Sequence, residues 1–363
     1  GTDKHEDGAL YVYDLKGNII EDKTVRGLKR PNNVDIEEFE LGEEEFSIAV
    51  VTERLTNKIR IFRLPEMTPL DNGGIEVFEG EDQRDPMGIS LYKNTEDKVY
   101  AFVGRKSGPL DGYIWQYELK GDENGNIIAE KVRAFGKYSG KKEIEAMVVD
   151  DELGYVYYSD EGVGVRKYFA DVEKGDEELA IFATEGFAGD HEGISIYTTD
   201  IGTGYIIVSD QQANKFQIFS REGSADNPHQ HLLVKSIDVS TMESDGSEVT
   251  NASLGDLFPK GMFVAMSDDR TFQLYAWEDI AGDDLMIAPD GLPQHTKNAI
   301  QPKYITEKVV FDTDDPAIWV NKNDPAQSLI IGTDKEDGGG LYVFDLHGKI
   351  IKDKVIPNLQ RPN

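Results

Sequence analysis

A four-residue motif that ends in an aromatic residue recurs seven times along this chain of 363 residues. The copies occupy residues 10–13, 59–62, 114–117, 165–168, 216–219, 272–275 and 341–344. Their first residues lie 49, 55, 51, 51, 56 and 69 positions apart. A period of about fifty residues is the length of one blade of a β-propeller, in which each blade is a small antiparallel sheet.

A second apolar run, ending in polar residues, precedes each of the six later motifs. These runs occupy residues 49–54, 101–106, 156–161, 207–211, 264–269 and 330–335. Both kinds of segment are rich in β-branched and aromatic residues, which favour strands, and clusters of Gly, Asp and Asn between them favour turns. We therefore predict an all-β fold, a six-bladed β-propeller. A β-sandwich also consists of short strands, but it has no reason to repeat at this period.

The two ends of the chain repeat each other. Residues 332–363 match residues 1–32 without a gap, and 19 of the 32 positions are identical. One full turn of the repeat therefore spans residues 1–331, which we predict to form the propeller, with its ring closed by a strand from about 309–331. Residues 332–363 are then the start of a second tandem domain, and the chain is expected to be a piece of such an array. The surplus segment could pair with another molecule in a strand-exchanged homodimer.

The charge balance excludes two classes of partner. The chain has 69 acidic and 38 Lys and Arg residues, which gives a formal charge of −31. Nucleic-acid binding needs clustered cations that displace counterions from phosphates, and anionic membrane surfaces would repel this chain. The apolar fraction of 39% is nevertheless high enough for a folded core. We expect neither a nucleic-acid nor a membrane partner.

Cysteine is absent, so this chain forms neither disulfides nor thiolate metal sites. Any divalent metal must be held mainly by oxygen atoms. Oxygen ligands are typical of calcium and magnesium sites and argue against zinc.

Equivalent positions of propeller blades lie in a ring around the central channel, so the polar ends of the repeats are expected on one face. The ends of the second runs supply Lys4 or Lys335, Arg54, Lys106, Glu161, Gln211 and Asp269. The strands that open the repeats supply Asn32, Asn33, Asp35, Asp85, Glu143, Glu145, Asp190, Glu192, Asp314 and Asp315. Crowded carboxylates require a hard cation, and Lys or Arg beside that cation suits a phosphate group.

Residues 314–319 and 32–36 resemble the two signature motifs of the β-propeller phytases, which are calcium-dependent phosphatases of inositol hexakisphosphate (phytate). The similarity continues through residues 145–147, 149–154, 190–193 and 277–281. It covers nearly the whole chain in a permuted frame. The duplicated ends look like the dual-domain members of that family, which implies a second tandem phytase domain as a partner.

The resemblance also implies a set of site residues. Several calcium ions would be held by Asp314, Asp315, Glu145, Glu161, Asp190 and Glu192, with Asp35 and Glu307 as further candidates. Phosphate would be bound by Lys4 or Lys335, Arg54 and Lys106, with Asn33 and Gln211 close by. The residues that take part in catalysis would be Lys4, Arg54, Lys106, Lys335, Glu145 and Asp190.

The reaction implied by the resemblance is attack of metal-activated water on a phosphomonoester of phytate or of its calcium complex. The family also implies a secreted protein. Four positions depart from the family pattern: Met87 replaces a tyrosine, Glu37 an arginine, His5 or Glu336 a lysine, and the loop 245–251 matches only in part. A lower affinity or a narrower range of inositol phosphates is therefore expected.

Two other functions remain compatible with a propeller. A non-catalytic, calcium-stabilised binding module would keep the blades but has no need for Lys4, Arg54 and Lys106 beside the carboxylates. A single-calcium lactonase or esterase would have one buried metal at the channel under an apolar pocket, whereas the predicted face is densely charged.

Overall fold

The computed structural model describes residues 1–289, 304, 306–360 and 362, without the side chains of Asp314 and Asp315. The chain divides into two compact units, Gly1–Leu292 and Pro293–Asn363. Strands dominate both units, as the alternating patterns predict. No helix in the described residues is long and apolar enough to cross a membrane.

Six antiparallel sheets, named here sheets 1 to 6, follow one another in the first unit. Sheet 1 contains β1 (Thr2–Asp3), β2 (Gly8–Leu10) and β3 (Val25–Leu28). Sheet 2 contains β4 (Pro31–Leu41), β5 (Glu44–Glu53), β6 (Lys58–Arg63), β7 (Thr68–Pro69) and β8 (Ile75–Glu76). Sheet 3 contains β9 (Pro86–Lys93), β10 (Val99–Arg105), β11 (Asp111–Gly121) and β12 (Ile127–Lys137).

The remaining sheets of this unit have three or four strands. Sheet 4 contains β13 (Met147–Asp150), β14 (Tyr155–Asp160), β15 (Gly164–Phe169) and β16 (Ala180–Phe182). Sheet 5 contains β17 (His191–Asp200), β18 (Thr203–Asp210), β19 (Lys215–Ser220) and β20 (Leu233–Asp238). Sheet 6 contains β21 (Ser247–Thr250), β22 (Met262–Ser267) and β23 (Thr271–Ala276), and the short helix α1 (Trp277–Ala281) follows it.

The second unit contains sheet 7. Its strands are β24 (Thr313–Trp319), β25 (Leu329–Asp334), β26 (Gly340–Phe344) and β27 (Ile356–Pro357). Short 3₁₀ turns in the two units are Glu21–Lys23, Arg54–Thr56, Val172–Lys174, Gln211–Ala213, Gly255–Leu257, Pro325–Gln327 and Lys352–Lys354.

The repeated motifs correspond to particular strands. The aromatic-ended motif lies in the third strand of sheets 2 to 7, and the second apolar run lies in the second strand. Between β11 and β12 the Asp122 carboxylate accepts the backbone N–H groups of Asn124 and Asn126, each at 2.8 Å. This interaction closes a tight hairpin turn, because a short acidic side chain can satisfy the backbone donors of the turn.

Neighbouring sheets of the first unit share hydrophobic cores, as propeller blades do. Sheets 1 and 2, 2 and 3, 3 and 4, 4 and 5, and 5 and 6 each bury a joint cluster of side chains. Sheets 6 and 1 also meet, since the rings of Tyr13 and Phe272 lie 5.6 Å apart. Within the described residues, each of the six sheets of the first unit therefore contacts the next, and the segment after β2 contacts sheet 6.

Sheet 1 lacks a strand that its duplicate has. In sheet 7, β24 pairs with β25, and Thr313 lies opposite Asp334. In sheet 1, β1 matches the last residues of β25 in sequence but pairs only with β2 among the described strands. Closure of the ring by residues 309–331 stays a prediction.

Replacing Trp277 with alanine should destabilise the first unit by about 3–5 kcal/mol, because a buried aromatic ring leaves a large cavity when it is removed. Trp277 is fully buried, and its ring stacks on that of Tyr197 with centroids 3.7 Å apart. Leu110→Ala is the control, since Leu110 belongs to the same unit and is 61% exposed. Denaturant unfolding followed by circular dichroism measures both variants, and equal losses for the two would contradict this packing account.

Candidate functional site

A strongly polar pocket of about 650 Å³ lies in the first unit. Its lining residues are Lys4, Lys106, Ser107, Tyr138, Lys142, Glu143, Glu145, Glu161, Asp190, Glu192, Gln211 and Asp245. Six of these twelve residues are carboxylates and three are lysines. The pocket is therefore negatively charged overall, but it contains separate positive groups.

The lining residues come from the ends of strands in several sheets. Lys4 follows β1, Lys106 follows β10, and Glu161 follows β14. Glu192 lies at the start of β17, and Asp245 precedes β21. In an antiparallel pair the start of one strand lies beside the end of the next, as His191 lies opposite Asp210. Part of the predicted set of strand starts and strand ends therefore lies together in this pocket, whereas, within residues 1–289, Arg54, Asp35 and Asp269 are not among its lining residues.

Each pocket lysine forms an ion pair with a pocket carboxylate. Lys4 Nζ lies 2.7 Å from Glu145 Oε1 and 2.6 Å from Asp245 Oδ2. Lys106 Nζ lies 2.5 Å from Glu143 Oε2, and Lys142 Nζ contacts Asp190 Oδ2. Burial tends to lower the pKa of Lys4, but Glu145 and Asp245 together raise it above its usual value. Lys4 is therefore a permanent cation at neutral pH.

Two other carboxylates, Glu161 and Glu192, each keep a buried oxygen without a hydrogen-bond donor in the described structure. Burial, followed by repulsion from Glu143, Glu145 and Asp190, raises the pKa of Glu161 to about 8. Burial and the neighbouring Glu161 raise the pKa of Glu192 well above its usual value. These two groups are poorly suited to carry a negative charge here unless a cation compensates them.

The donor set fits a hard divalent cation, because it consists of carboxylate oxygens of which two are unpartnered and buried. Within the described residues, however, no group of three or more His, Asp or Glu side chains is already arranged to hold a metal ion. Lys4 and Lys142 each contact one carboxylate oxygen, of Glu145 and of Asp190 respectively, that a cation could otherwise bind.

Neighbouring side chains hold the acidic residues in place. Gln212 Nε2 donates to Asp190 Oδ2 at 2.8 Å, and Gln212 Oε1 accepts the Asp190 backbone N–H at 2.6 Å. His191, between two pocket carboxylates, stacks on Phe187 and bonds the Ala183 carbonyl through Nε2 at 2.6 Å. His191 thus supports the local fold and does not line the pocket.

Other predicted site residues of the first unit lie at different places. Gln211 lines the pocket and donates to Asp245 Oδ1 at 2.7 Å. Asn33 donates to the Glu145 carbonyl at 3.1 Å. Asp35 accepts from the Leu91 backbone N–H at 2.7 Å and does not line the pocket within residues 1–289.

Arg54 also stays outside the pocket lining in residues 1–289, with its Nε 3.9 Å from Asp85 Oδ1. Its guanidinium is held there by an acidic neighbour rather than by a pocket carboxylate. Met87, which replaces the family's tyrosine, is buried. It therefore offers the pocket no polar group.

The remaining predicted residues belong to the second unit. Lys335 forms an ion pair with Asp312 at 3.2 Å. Glu307 accepts the Ile350 backbone N–H at 2.6 Å and contacts Lys349. The side chains of Asp314 and Asp315 lie outside the described residues, although both positions belong to β24.

Sequence reasoning did not assign Lys142, Asp245, Tyr138 or Ser107 to the site, and it named Glu143 only as a rim residue. Lys142 and Glu143 lie within three residues of Glu145, and Asp245 belongs to the acidic loop before β21. Their closeness in sequence to predicted ligands was the indication that they could belong to the site. The direction in which each side chain points was not readable from the pattern.

Comparison with known proteins agrees with this geometry. A family model described as Phytase matches residues 2–284 and 295–359. The 3-phytase of Bacillus subtilis (strain 168) is 28% identical over 300 residues, which cover 75% of this chain and 73% of that protein. The resemblance found in the sequence is thereby confirmed, as is the all-β propeller fold.

Without divalent cations, the protein should lose stability as the pH rises between about 4.5 and about 8. Glu161 keeps its proton in the folded state up to about pH 8, whereas the unfolded chain releases it near 4.5, so folding is favoured at low pH. One such group gives a slope of about 1.4 kcal/mol per pH unit. Denaturant unfolding in EGTA at several pH values measures the slope.

Glu161→Gln should flatten this pH dependence, because the amide does not titrate. Glu43→Gln, in the exposed turn between β4 and β5, is the control and should keep the wild-type slope. An unchanged slope in Glu161→Gln would show that Glu161 does not titrate in this range.

Proposed function

This chain belongs to the phytase family, and we propose that it hydrolyses phosphomonoester bonds of phytate in a reaction that depends on calcium ions. The proposal rests mainly on the pocket, which is lined by six carboxylates and three lysines. A polyanion cannot approach six carboxylates unless cations offset them, so the substrate and the cations must bind together. The 3-phytase relative supports the same substrate class.

The residues that would hold calcium are Glu145, Glu161, Asp190 and Glu192. Glu143 and Asp245, which also line the pocket, are secondary candidates. Asp314 and Asp315, implied by the family, remain part of the proposal as ligands. Bound calcium would supply positive charge that offsets the phosphate oxygens and makes water a better nucleophile near neutral pH. The raised pKa values of Glu161 and Glu192 fit this role, because a cation bound nearby would offset both the cost of burial and the repulsion between carboxylates that raise them.

The lysines of the pocket would bind the phosphate groups. Lys4 and Lys106 come from sheets 1 and 3, so they can contact different oxygens of one bulky substrate. The ammonium group of each lysine would donate a charge-assisted hydrogen bond to a phosphate oxygen. Gln211, which donates to Asp245, would position that carboxylate. Arg54 and Lys335 remain proposed phosphate ligands by family resemblance.

The other candidate functions fit the pocket less well. A lactonase or esterase needs an apolar pocket for an uncharged substrate, whereas this lining is dominated by charged side chains. A non-catalytic, calcium-stabilised binding module would need the carboxylates but would have no need for the lysines that pair with them in the pocket.

Phosphate release from phytate should require calcium and should stop when EGTA removes it. Glu161→Gln should lower kcat/KM by about 100-fold or more, because one charge needed to hold the cation is lost. Released phosphate is measured colorimetrically, with tightly bound calcium determined in parallel by calorimetry.

Glu43→Gln serves as the matched control for the loss of one carboxylate and should retain wild-type activity, since Glu43 is exposed and does not line the pocket in the described residues. Phosphate release that is indifferent to EGTA would contradict the calcium requirement. A protein that binds calcium but releases no phosphate under any condition would instead be a binding module.

We further propose that β24 completes sheet 1, in the same chain or in a strand-exchanged homodimer. In sheet 7 the buried Asp334 carboxylate accepts the backbone N–H groups of Phe311 and Asp312, each at 2.9 Å. Asp3, the duplicate of Asp334, is exposed in sheet 1. The same four residues, Gly-Thr-Asp-Lys, begin both copies, so β1 offers β24 an equivalent edge. A second tandem domain would supply this strand in the same way.

Cysteine pairs can test this strand pairing, because the chain contains no cysteine of its own. Thr313→Cys with Asp3→Cys should form a disulfide if β24 pairs with β1, since Thr313 lies opposite the duplicate Asp334 in sheet 7. Thr313→Cys with Asp334→Cys reports the β24–β25 pairing. Non-reducing electrophoresis separates a disulfide within one chain from a linked dimer. Crosslinking of the second pair alone would contradict completion of sheet 1.

A further inference from the structure

We propose that Asp160 is a positioning residue of the site. Its buried carboxylate holds the loop 138–145 against the end of β14 and so places the proposed calcium ligands that lie on both sides of this contact. This inference rests on the proposed function, because it concerns the ligands named there. Asp160 itself does not line the pocket within residues 1–289, so it would act only through neighbouring residues.

The Asp160 carboxylate lies at the end of β14 and is fully buried. Its Oδ1 accepts the Ser139 hydroxyl at 2.7 Å, and its Oδ2 accepts the Ser139 backbone N–H at 3.0 Å. Arg166 Nε, from β15, donates to the same Oδ2 at 2.9 Å. The loss of any one of these bonds would leave a buried polar group without a partner, which is costly. The carboxylate is therefore held firmly between the loop and β15.

Asp160 joins two segments that carry pocket residues. On one side Glu161 follows it directly, and the Glu161 backbone N–H donates to the Glu143 carbonyl at 3.3 Å. On the other side the loop 138–145 supplies four lining residues, Tyr138, Lys142, Glu143 and Glu145. Lys141 belongs to the same loop but, within residues 1–289, not to the pocket lining. The contact of Asp160 with this loop thus sets the place of Glu161 relative to the acidic residues of the loop.

Sheet 5 repeats this arrangement. Asp210, at the end of β18, is buried and accepts the Ala188 backbone N–H at 2.9 Å. Gln217, the second residue of the aromatic-ended motif, donates to Asp210 at 3.3 Å. The pocket residue Gln211 follows Asp210, and its backbone N–H donates to the Asp190 carbonyl at 3.3 Å. In sheets 2 and 7 an acidic residue at the same strand end also accepts backbone N–H groups from the segment before the first strand. The contact is therefore a feature of the repeat.

Another buried acid of the first unit has the same kind of partners but lies away from the pocket residues in sequence. The Asp71 carboxylate is fully buried and accepts Arg60 Nε at 2.7 Å and the Ile61 backbone N–H at 2.9 Å. Its third donor is the Gly73 backbone N–H at 3.1 Å. None of these four residues lines the pocket described for residues 1–289. Asp71 matches Asp160 in burial, charge and donors, so it is an internal control for the loss of a buried carboxylate.

Calcium binding and stability, measured on the same two variants, separate a positioning role from a purely structural one. Asp160→Asn should raise the calcium dissociation constant about 10- to 100-fold, because residues that orient metal ligands have effects of this size. Asp71→Asn should lower the denaturant midpoint by a similar amount but keep the calcium dissociation constant of the wild type. Calorimetric calcium titration and denaturant unfolding in EGTA measure the two quantities.

Hydrogen–deuterium exchange in EGTA gives a readout that does not involve calcium. The backbone N–H groups of the loop 138–145 should exchange about tenfold faster in Asp160→Asn, because the loop loses hydrogen bonds to a charged group. Their exchange should stay at the wild-type rate in Asp71→Asn. Ser139→Ala, which removes one of the donors, should shift exchange and calcium affinity in the same direction by smaller factors. Ser139→Thr keeps the hydroxyl and should restore both.

Equal losses of calcium affinity in Asp160→Asn and Asp71→Asn would overturn the inference and leave Asp160 with a structural role alone. Wild-type exchange rates across the loop 138–145 in Asp160→Asn would overturn it as well. A wild type that binds no calcium would overturn the proposed function instead. The exchange comparison would then decide whether Asp160 places the pocket carboxylates.

Discussion

Repulsion among carboxylates is the interaction on which the functional site depends. Six acidic side chains share one pocket with three lysines, so even with every lysine paired the pocket retains an excess of negative groups. Burial and the neighbouring carboxylates raise the pKa values of Glu161 and Glu192, and each of these residues also has a buried oxygen without a hydrogen-bond partner in the described structure. Buried unpaired charges strongly lower the free energy of unfolding. Such a cluster is therefore expected where a bound cation offsets the charges or where the cluster has a function.

The architecture explains how residues far apart in sequence reach one pocket. Lys4 contacts Asp245 across 241 positions of the chain, yet both lie at strand ends on the same edge of neighbouring sheets. The lining side chains come from sheets 1, 3, 4, 5 and 6 and from the loops beside them, and the shared cores between sheets hold these strands in place. The site therefore depends on several sheets at once.

The sequence predicted the elements that repeat and missed those that do not. The second and third strands of sheets 2 to 7 were readable because their hydrophobic pattern recurs, and the positions of Glu145, Glu161, Asp190 and Glu192 near strand ends followed from the same repeat. The choice between Lys141 and Lys142 was not readable, since the Tyr138 and Ser139 hydrogen bonds that orient the loop depend on tertiary contacts. The approach of Arg54 Nε to within 3.9 Å of Asp85 Oδ1 was likewise not indicated by the repeat.

The lysine–carboxylate pairs also couple the two kinds of ligand proposed for the pocket. Asp190 and Glu145, which pair with Lys142 and Lys4, would also be ligands of a cation, and cation binding there would leave these two ammonium groups available to phosphate. Linkage makes this effect reciprocal, so phosphate that binds the lysines must raise the affinity for the cation by the same factor. The ion pairs seen in the structure thus neutralise part of the pocket charge in the absence of ligands. They also provide a physical basis for cooperative binding of the cation and the polyanion.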